Sequence, residues 1–287
     1  MLRQRIEHAT IYSYRRPVAF GRHRLVLRPR EGHDIRVVDM SLEIFPAHRL
    51  AWARDVFSNS VAIVDFTAEA DRLEVRSEVT VERSLPFPSQ DPYVPWRIPW
   101  PVNYDEREAP ITAAYQTLSY ADDAQIVKQW LAEYATVTAT DDAETLLMNL
   151  CHHIHAKIGY QRRYVKGVQS PGETLRLQSG SCRDMALLMM DAARLMGLSA
   201  RFVSGYLDCP AAEAGRAAMH AWAEIYLPVL GWRGYDPTIG EGASLKHITV
   251  GVSQHPRGVM PITGQFHGDS GDYLDMRAPV KVVRLTE

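Results

Sequence analysis

Short apolar or alternating runs fill the first 85 positions of the chain: Leu25–Leu27, Val37–Phe45, Val61–Val64 and Leu73–Val81. A period of two puts one face of a strand on a core and the other in solvent. Pro29, Gly32, Pro46 and Asn59 separate the runs, and no long 3.6-residue period interrupts them. The pattern predicts an N-terminal antiparallel β domain over residues 1–85, built as a small sandwich or barrel.

Six prolines follow between Leu85 and Pro101. They remove the backbone donors that a helix or inner strand needs, so residues 86–105 read as a connector. The period then changes. Asp122–Tyr134 reads as a first helix. Thr140 or Asp141 is placed to cap a second, whose apolar positions Leu147, Leu150, Cys151, Ile154 and Ile158 recur at helical spacing. A third begins at Cys182, after the turn Ser179-Gly180-Ser181. Met185, Leu188, Met189, Ala192, Leu195 and Met196 form its apolar face, and Gly197 ends it. Strands return at Ala200–Leu207, Ala221–Leu227, Trp232–Tyr235 and Val280–Leu285. Helices followed by strands predict an α+β domain over residues 106–287.

Composition narrows the partners. A formal net charge of −2 over 287 residues gives no basis for a nucleic-acid or membrane partner. No apolar run reaches the length of a transmembrane helix, and the N-terminal MLRQRIEHATIYSY lacks the apolar core of a secretory signal. Three cysteines, Cys151, Cys182 and Cys209, are too few and scattered for a disulfide scaffold, so the expected location is cytoplasmic. Arg22, Arg24, Arg28 and Arg30 read as the solvent face of a strand.

Cys182 carries the candidate chemistry. A thiol at a helix N-terminus faces the positive end of the macrodipole, and first-turn N–H groups are free to receive an oxyanion. Position alone does not separate a nucleophile from a buried structural cysteine. Downstream, His220 opens one strand and Asp236 ends the next, sixteen residues on (236 − 220), across a Pro-Val-Leu-Gly turn. Such a hairpin lets a carboxylate fix one imidazole tautomer and leave the other nitrogen for Cys182.

Gly180-Ser181-Cys182-Arg183-Asp184, then His220-Ala-Trp222, then Gly231-Trp232 and Asp236-Pro237-Thr238, resembles the bacterial transglutaminase-like proteins of the papain-like cysteine-peptidase superfamily. Ile6-Glu-His-Ala-Thr10, Tyr12-Ser-Tyr14 and Leu27-Arg-Pro-Arg30 are similar to the β domain that precedes that core in bacteria. The resemblance implies Cys182 as nucleophile, His220 as general base and then acid, and Asp236 as orienting carboxylate. It implies a thioester formed from a peptide or protein amide, with no metal or organic cofactor. Hydrolysis is favoured over protein-glutamine transamidation because water is the default acceptor; a low-activity binding module is the third reading. Tyr160 and Gln178 are both candidates for a second oxyanion donor. Two positions depart from the family pattern: Ile239 follows Thr238 where relatives tend to carry asparagine, and Phe57-Ser58-Asn59 replaces Phe-Gly-Asn.

Three other signals compete. Cys151, His152, His153 and His155 have ligand residue types at helical spacing, but Cys151 continues an apolar stripe and a fourth ligand is not evident. Gly268-Asp269-Ser270-Gly271 echoes a serine-protease loop, without the second glycine or a fitting His and Asp before it. Tyr12, Tyr14, Trp96 and Trp100 suit a substrate groove or a core.

Overall fold

A computed structural model describes residues 2–84, 97–135, 140–163, 167–208 and 219–285. The N-terminal strands are β1 (Leu2–Phe20), β2 (His23–Leu25), β3 (Ile35–Phe45), β4 (His48–Arg54), β5 (Ser60–Phe66) and β6 (Ala70–Arg83). Helices α1 (Ala109–Ala114), α2 (Ala124–Ala135) and α3 (Ala143–Lys157) follow, then β7 (Gly159–Tyr160), α4 (Pro171–Leu177), β8 (Ser179–Gly180) and α5 (Cys182–Leu195). A second run of strands comprises β9 (Ala200–Leu207), β10 (Met219–Leu227), β11 (Gly231–Asp236), β12 (Glu241–Gly242) and β13 (His247–Ser253). The chain ends with β14 (Ile262–Thr263), β15 (Phe266–His267), β16 (Tyr273–Arg277) and β17 (Val280–Leu285).

The N-terminal part is a sandwich of antiparallel sheets, as the alternation predicts. Its larger sheet runs β15-β1-β6-β3, with β16 and β17 also on β1; the smaller runs β14-β2-β5-β4. Leu25, Ala62 and Val64 of the smaller sheet meet Val75 of the larger in one apolar cluster. β1 pairs with β6 from Leu2↔Arg83 to Ser13↔Arg72. Its other edge takes β17, from Arg3↔Leu285 to His8↔Val280. Residues 262–285, expected with the second domain, therefore complete the first one's sheets. A 19-residue strand leaves a long edge of unpaired backbone groups, and the returning tail satisfies it.

The second part is an antiparallel sheet ordered β12-β11-β10-β9-β13, with a layer on each face. On one face α5 packs Met185, Leu188, Met189 and Ala192 into the same core as Ala221, Ala223, Ile225 and Phe202. The two alanines of β10 let the helix backbone approach the sheet closely. On the other, Tyr206, Ile248 and Val250 share a cluster with Ile6, Val26, Val61, Val79 and Val81 of the sandwich. The sheet is thus buried between helix and β domain.

Local chemistry explains the boundaries. Asp142, not Thr140 or Asp141, caps α3, accepting from the Thr145 N–H at 2.9 Å. The same side chain accepts from Ile98 N–H at 3.0 Å, so it ties the incoming chain to the helix, while Asp141 pairs with Arg97. Arg22, Arg24 and Arg28 pair with Asp65, Asp55 and Glu31, and Arg30 donates to Asn59 Oδ1 and the Phe57 carbonyl; the cluster holds the loops of the sandwich together. Tyr14 lies in a buried cluster with Phe20 and Tyr12 packs against it, while Trp100 packs on the α5 core. Trp96, Cys209 and most of the predicted connector fall outside the described residues. The Gly268–Gly271 turn is fastened by Arg16, which binds Asp269 and Asp272 at 2.8 Å.

Asn59 joins the two parts. Its buried amide donates to the Val252 carbonyl at 2.8 Å and accepts from the Val252 N–H at 2.9 Å, capping the open edge of β13. The preceding Ser58 has a φ of 61°, the left-handed region that glycine enters freely. This is the physical content of the Phe-Ser-Asn departure: serine occupies a backbone position suited to glycine. Asn59→Ala leaves two buried backbone groups of Val252 unpaired and should cost about 3 kcal/mol in urea unfolding; a loss below a few tenths would contradict the bridge. Ser58→Gly should raise stability by about 1 kcal/mol, and a loss would show that Ser58 is unstrained.

Candidate active site

Cys182 opens α5, with Ser181 as the N-cap. Asp184 holds this turn from inside. Its Oδ2 accepts from Ser181 N–H at 2.8 Å and from Ser181 Oγ at 2.7 Å. Its Oδ1 accepts from Gln169 N–H at 2.7 Å, and Arg163 donates to both oxygens at 2.8 and 2.9 Å. Asp184 is fully buried, so these donors replace its water. A Cβ at Gly180 would come within 2.9 Å of the Asp184 Cβ, which accounts for the glycine before Ser-Cys. The parallel pairing of β7 with β8 then lays Gln161 beside Gly180, N–H to carbonyl at 2.8 Å.

The β10–β11 hairpin forms as predicted and brings His220 to Asp236. Nε2 of His220 donates to Asp236 Oδ2 at 2.6 Å. Its Nδ1 is the nitrogen that this bond leaves open, and the Cys182 sulfur lies close enough to the ring to raise its pKa. The sequence-predicted Cys182, His220 and Asp236 are therefore assembled in one place. All three are buried, with Cys182 keeping 9% of its surface exposed, a narrow opening to solvent.

Charge is distributed accordingly. Burial disfavours the His220 imidazolium, yet the Asp236 carboxylate, its hydrogen bond and the Cys182 thiol together raise the pKa to about 10. Burial likewise opposes the Asp236 charge, but His220 and His247 outweigh it and hold the carboxyl well below the ordinary range. Thr238 N–H adds a donor to Oδ1 at 2.9 Å.

Three residues contribute in ways the sequence did not reveal. His247 at the start of β13 contacts Asp236 Oδ2 at 3.1 Å. His155, weighed as a zinc ligand, instead donates from Nδ1 to the carbonyls of Pro237 and Thr238, at 3.2 and 3.1 Å, and so steadies the turn after Asp236. Cys151 continues the apolar stripe of α3 and reaches the Glu241 carbonyl at 3.8 Å; burial, then the Asp236 charge, raise its thiol to about 12. Trp222 stands behind the site, its ring edge-on to His247 at 5.0 Å and parallel-displaced from His220 at 6.3 Å. A Cβ at Gly205 would lie 2.6 Å from the indole and 2.3 Å from the Ile248 carbonyl, so glycine there makes room for it.

His220, Asp236 and His247 place their ligand-type atoms within 4.8 Å of one another. Metal binding through His247 Nε2 would move its proton to Nδ1, facing the Ser244 N–H that lies 3.1 Å away. Two donors would oppose each other, so the donor set suits a hydrogen-bonded network and not a metal.

Comparison with known proteins places this geometry. Residues 4–82 match the model of the bacterial transglutaminase-like N-terminal region, and residues 129–237 match that of the transglutaminase-like superfamily. An uncharacterized protein of Mycobacterium leprae is 29% identical over 290 residues, covering 99% of this chain and 100% of its own. One from Mycobacterium tuberculosis is 28% identical over 281 residues, covering 93% and 88%. Among solved structures, a proposed cysteine protease from Cytophaga hutchinsonii aligns over 100% of this chain and 91% of its own. Its TM-score is 0.73 at 14% identity, a likeness of fold. In order along the chain, then, a bacterial transglutaminase-like N-terminal region precedes a core of the transglutaminase-like superfamily.

Proposed function

We propose that the protein is a thiol-dependent amide-bond hydrolase acting on a peptide or protein through Cys182, His220 and Asp236. The observation that carries this reading is the imidazole of His220, bonded to Asp236 through Nε2 and under the influence of the Cys182 sulfur beside it. Sγ of Cys182 attacks the carbonyl carbon as the thiolate partner of the His220 imidazolium, which Asp236 stabilises. The N-terminal end of α5, with the Cys182 N–H at its head, presents the positive end of the helix dipole to the developing oxyanion. Collapse breaks the C–N bond, the His220 proton passes to the departing amine, and a thioester remains on Cys182. Water, deprotonated by His220, attacks the thioester; the acid leaves and the thiolate–imidazolium pair is restored. An amine in place of that water would give transamidation.

Acid quenching during turnover of an amide-containing peptide pool, followed by intact-mass analysis, tests this. The expected result is an acyl adduct on Cys182, a free-acid product, and no amine incorporation when a primary amine is added. Cys182→Ala should show neither adduct nor product, and Asp236→Asn should lower kcat/KM by about 10²–10⁴-fold. Equal turnover by Cys182→Ala and wild type would overturn the assignment, while dominant amine incorporation would make the enzyme a transamidase.

The same pair sets a pH window for stability. His220 holds its proton more tightly folded than unfolded, so its contribution is complete below its ordinary value of 6.5 and is lost as pH rises through about 10. Asp236 behaves oppositely, contributing fully above its ordinary value of 3.8 and less as pH falls below it. Urea unfolding of wild type against Asp236→Asn should therefore differ most between those two ordinary values. A difference that kept growing toward pH 10 would contradict the ion pair.

A further inference from the structure

We propose that His247 is a positioning residue of this site, donating from Nε2 to Asp236 Oδ2 and so fixing the carboxylate that orients His220. The inference rests on the reading of Cys182, His220 and Asp236 given above. It starts from the tautomer. Ser244 N–H donates to His247 Nδ1 at 3.1 Å, so that nitrogen is an acceptor and carries no hydrogen. The proton of the ring is then on Nε2, aimed at Asp236 Oδ2 at 3.1 Å. Oδ2 receives His220 and His247 together, and Oδ1 receives the Thr238 N–H, so the carboxylate is held on both oxygens.

The ring has no freedom to leave. His247 is 3% exposed, and Trp222 stands edge-on against it. The backbone is held from the N-terminal sheet: buried Arg83, at the end of β6, donates to the His247 carbonyl at 2.7 Å. β13 pairs His247 with Leu207 of β9, on the far side of the sheet order from β11, where Asp236 lies. The carboxylate is thus fixed from two separate strands, and the β domain reaches the site through Arg83. Among the described residues, the titratable and charged groups around this network include, besides Asp236 itself, His220 from β10, Cys182 from α5, Cys151 and His155 from α3 and Arg83 from β6.

His247→Phe keeps a ring against Trp222 and removes the donor, whereas His247→Gln keeps an N–H that can reach Asp236. Iodoacetamide alkylation of Cys182, followed against pH in the full chain with thermal melts alongside, separates them. In His247→Phe the rate should fall about tenfold, the worth of a hydrogen bond to a charged group. Its acid limb should also move to higher pH, because Asp236 loses a partner that favours its charged form. His247→Gln should return both rate and limb toward wild type. A wild-type profile in His247→Phe, or a loss in folded His247→Gln as large as in His247→Phe, would overturn the proposal. Should His247→Phe fail to fold, His247→Gln decides alone: a retained acid limb supports donation and a displaced one refutes it. If His220→Gln alkylates as fast as wild type, the triad reading itself fails, and the His247 proposal falls with it.

Discussion

A carboxylate buried away from water keeps its charge only if the fold supplies the donors that water would have given. Asp236 is fully buried and receives His220, His247 and the Thr238 N–H, and much of the second half of the chain serves that arrangement. The β10–β11 hairpin brings the carboxylate to His220, β13 brings His247, and His155 of α3 holds the turn that follows. With the carboxylate charged, the imidazolium of His220 is the favoured state, and Cys182 has a cation at its side.

Cys182, the proposed nucleophile, is set by a second buried carboxylate. Asp184 binds Ser181, Gln169 and Arg163, so the first turn of α5 is tied to the segments that precede it. The long apolar face of the helix fixes it on the sheet, and Asp184 fixes its end. Neither acts on the reaction directly; together they leave the thiol little room to move away from His220.

The candidate constellation was legible because it is local or carried by short motifs. Turn, cap and apolar period located Cys182, and a hairpin length located His220 and Asp236. His247 was not legible, since a histidine opening one more strand has no periodic or spacing signal, and only the strand order brings it to Asp236. Asp184 had a readable signal, the three-residue spacing from Ser181 that marks a capping box. The alternation gave the β character of the N-terminal part but missed most of β1, the whole of β4 and β14–β16; β17 was predicted as a strand, without its place beside β1. A pairing such as Arg3 with Leu285 spans nearly the whole chain, and each strand alone states no partner. The family departure at Ser58 became interpretable only through its backbone angle.

The β domain takes part in the site's construction through specific bonds. Asn59 closes the edge of β13, and Arg83 holds the carbonyl of His247, so the accessory sheets border the chemistry they flank. The central claim is that Asp236 sustains a proton on His220, and imidazole NMR of His220 across pH tests it most directly. The account predicts that wild-type His220 stays protonated to about pH 10 and that Asp236→Asn returns it toward the ordinary value of 6.5. Titration of wild-type His220 near 6.5, unchanged by Asp236→Asn, would contradict it.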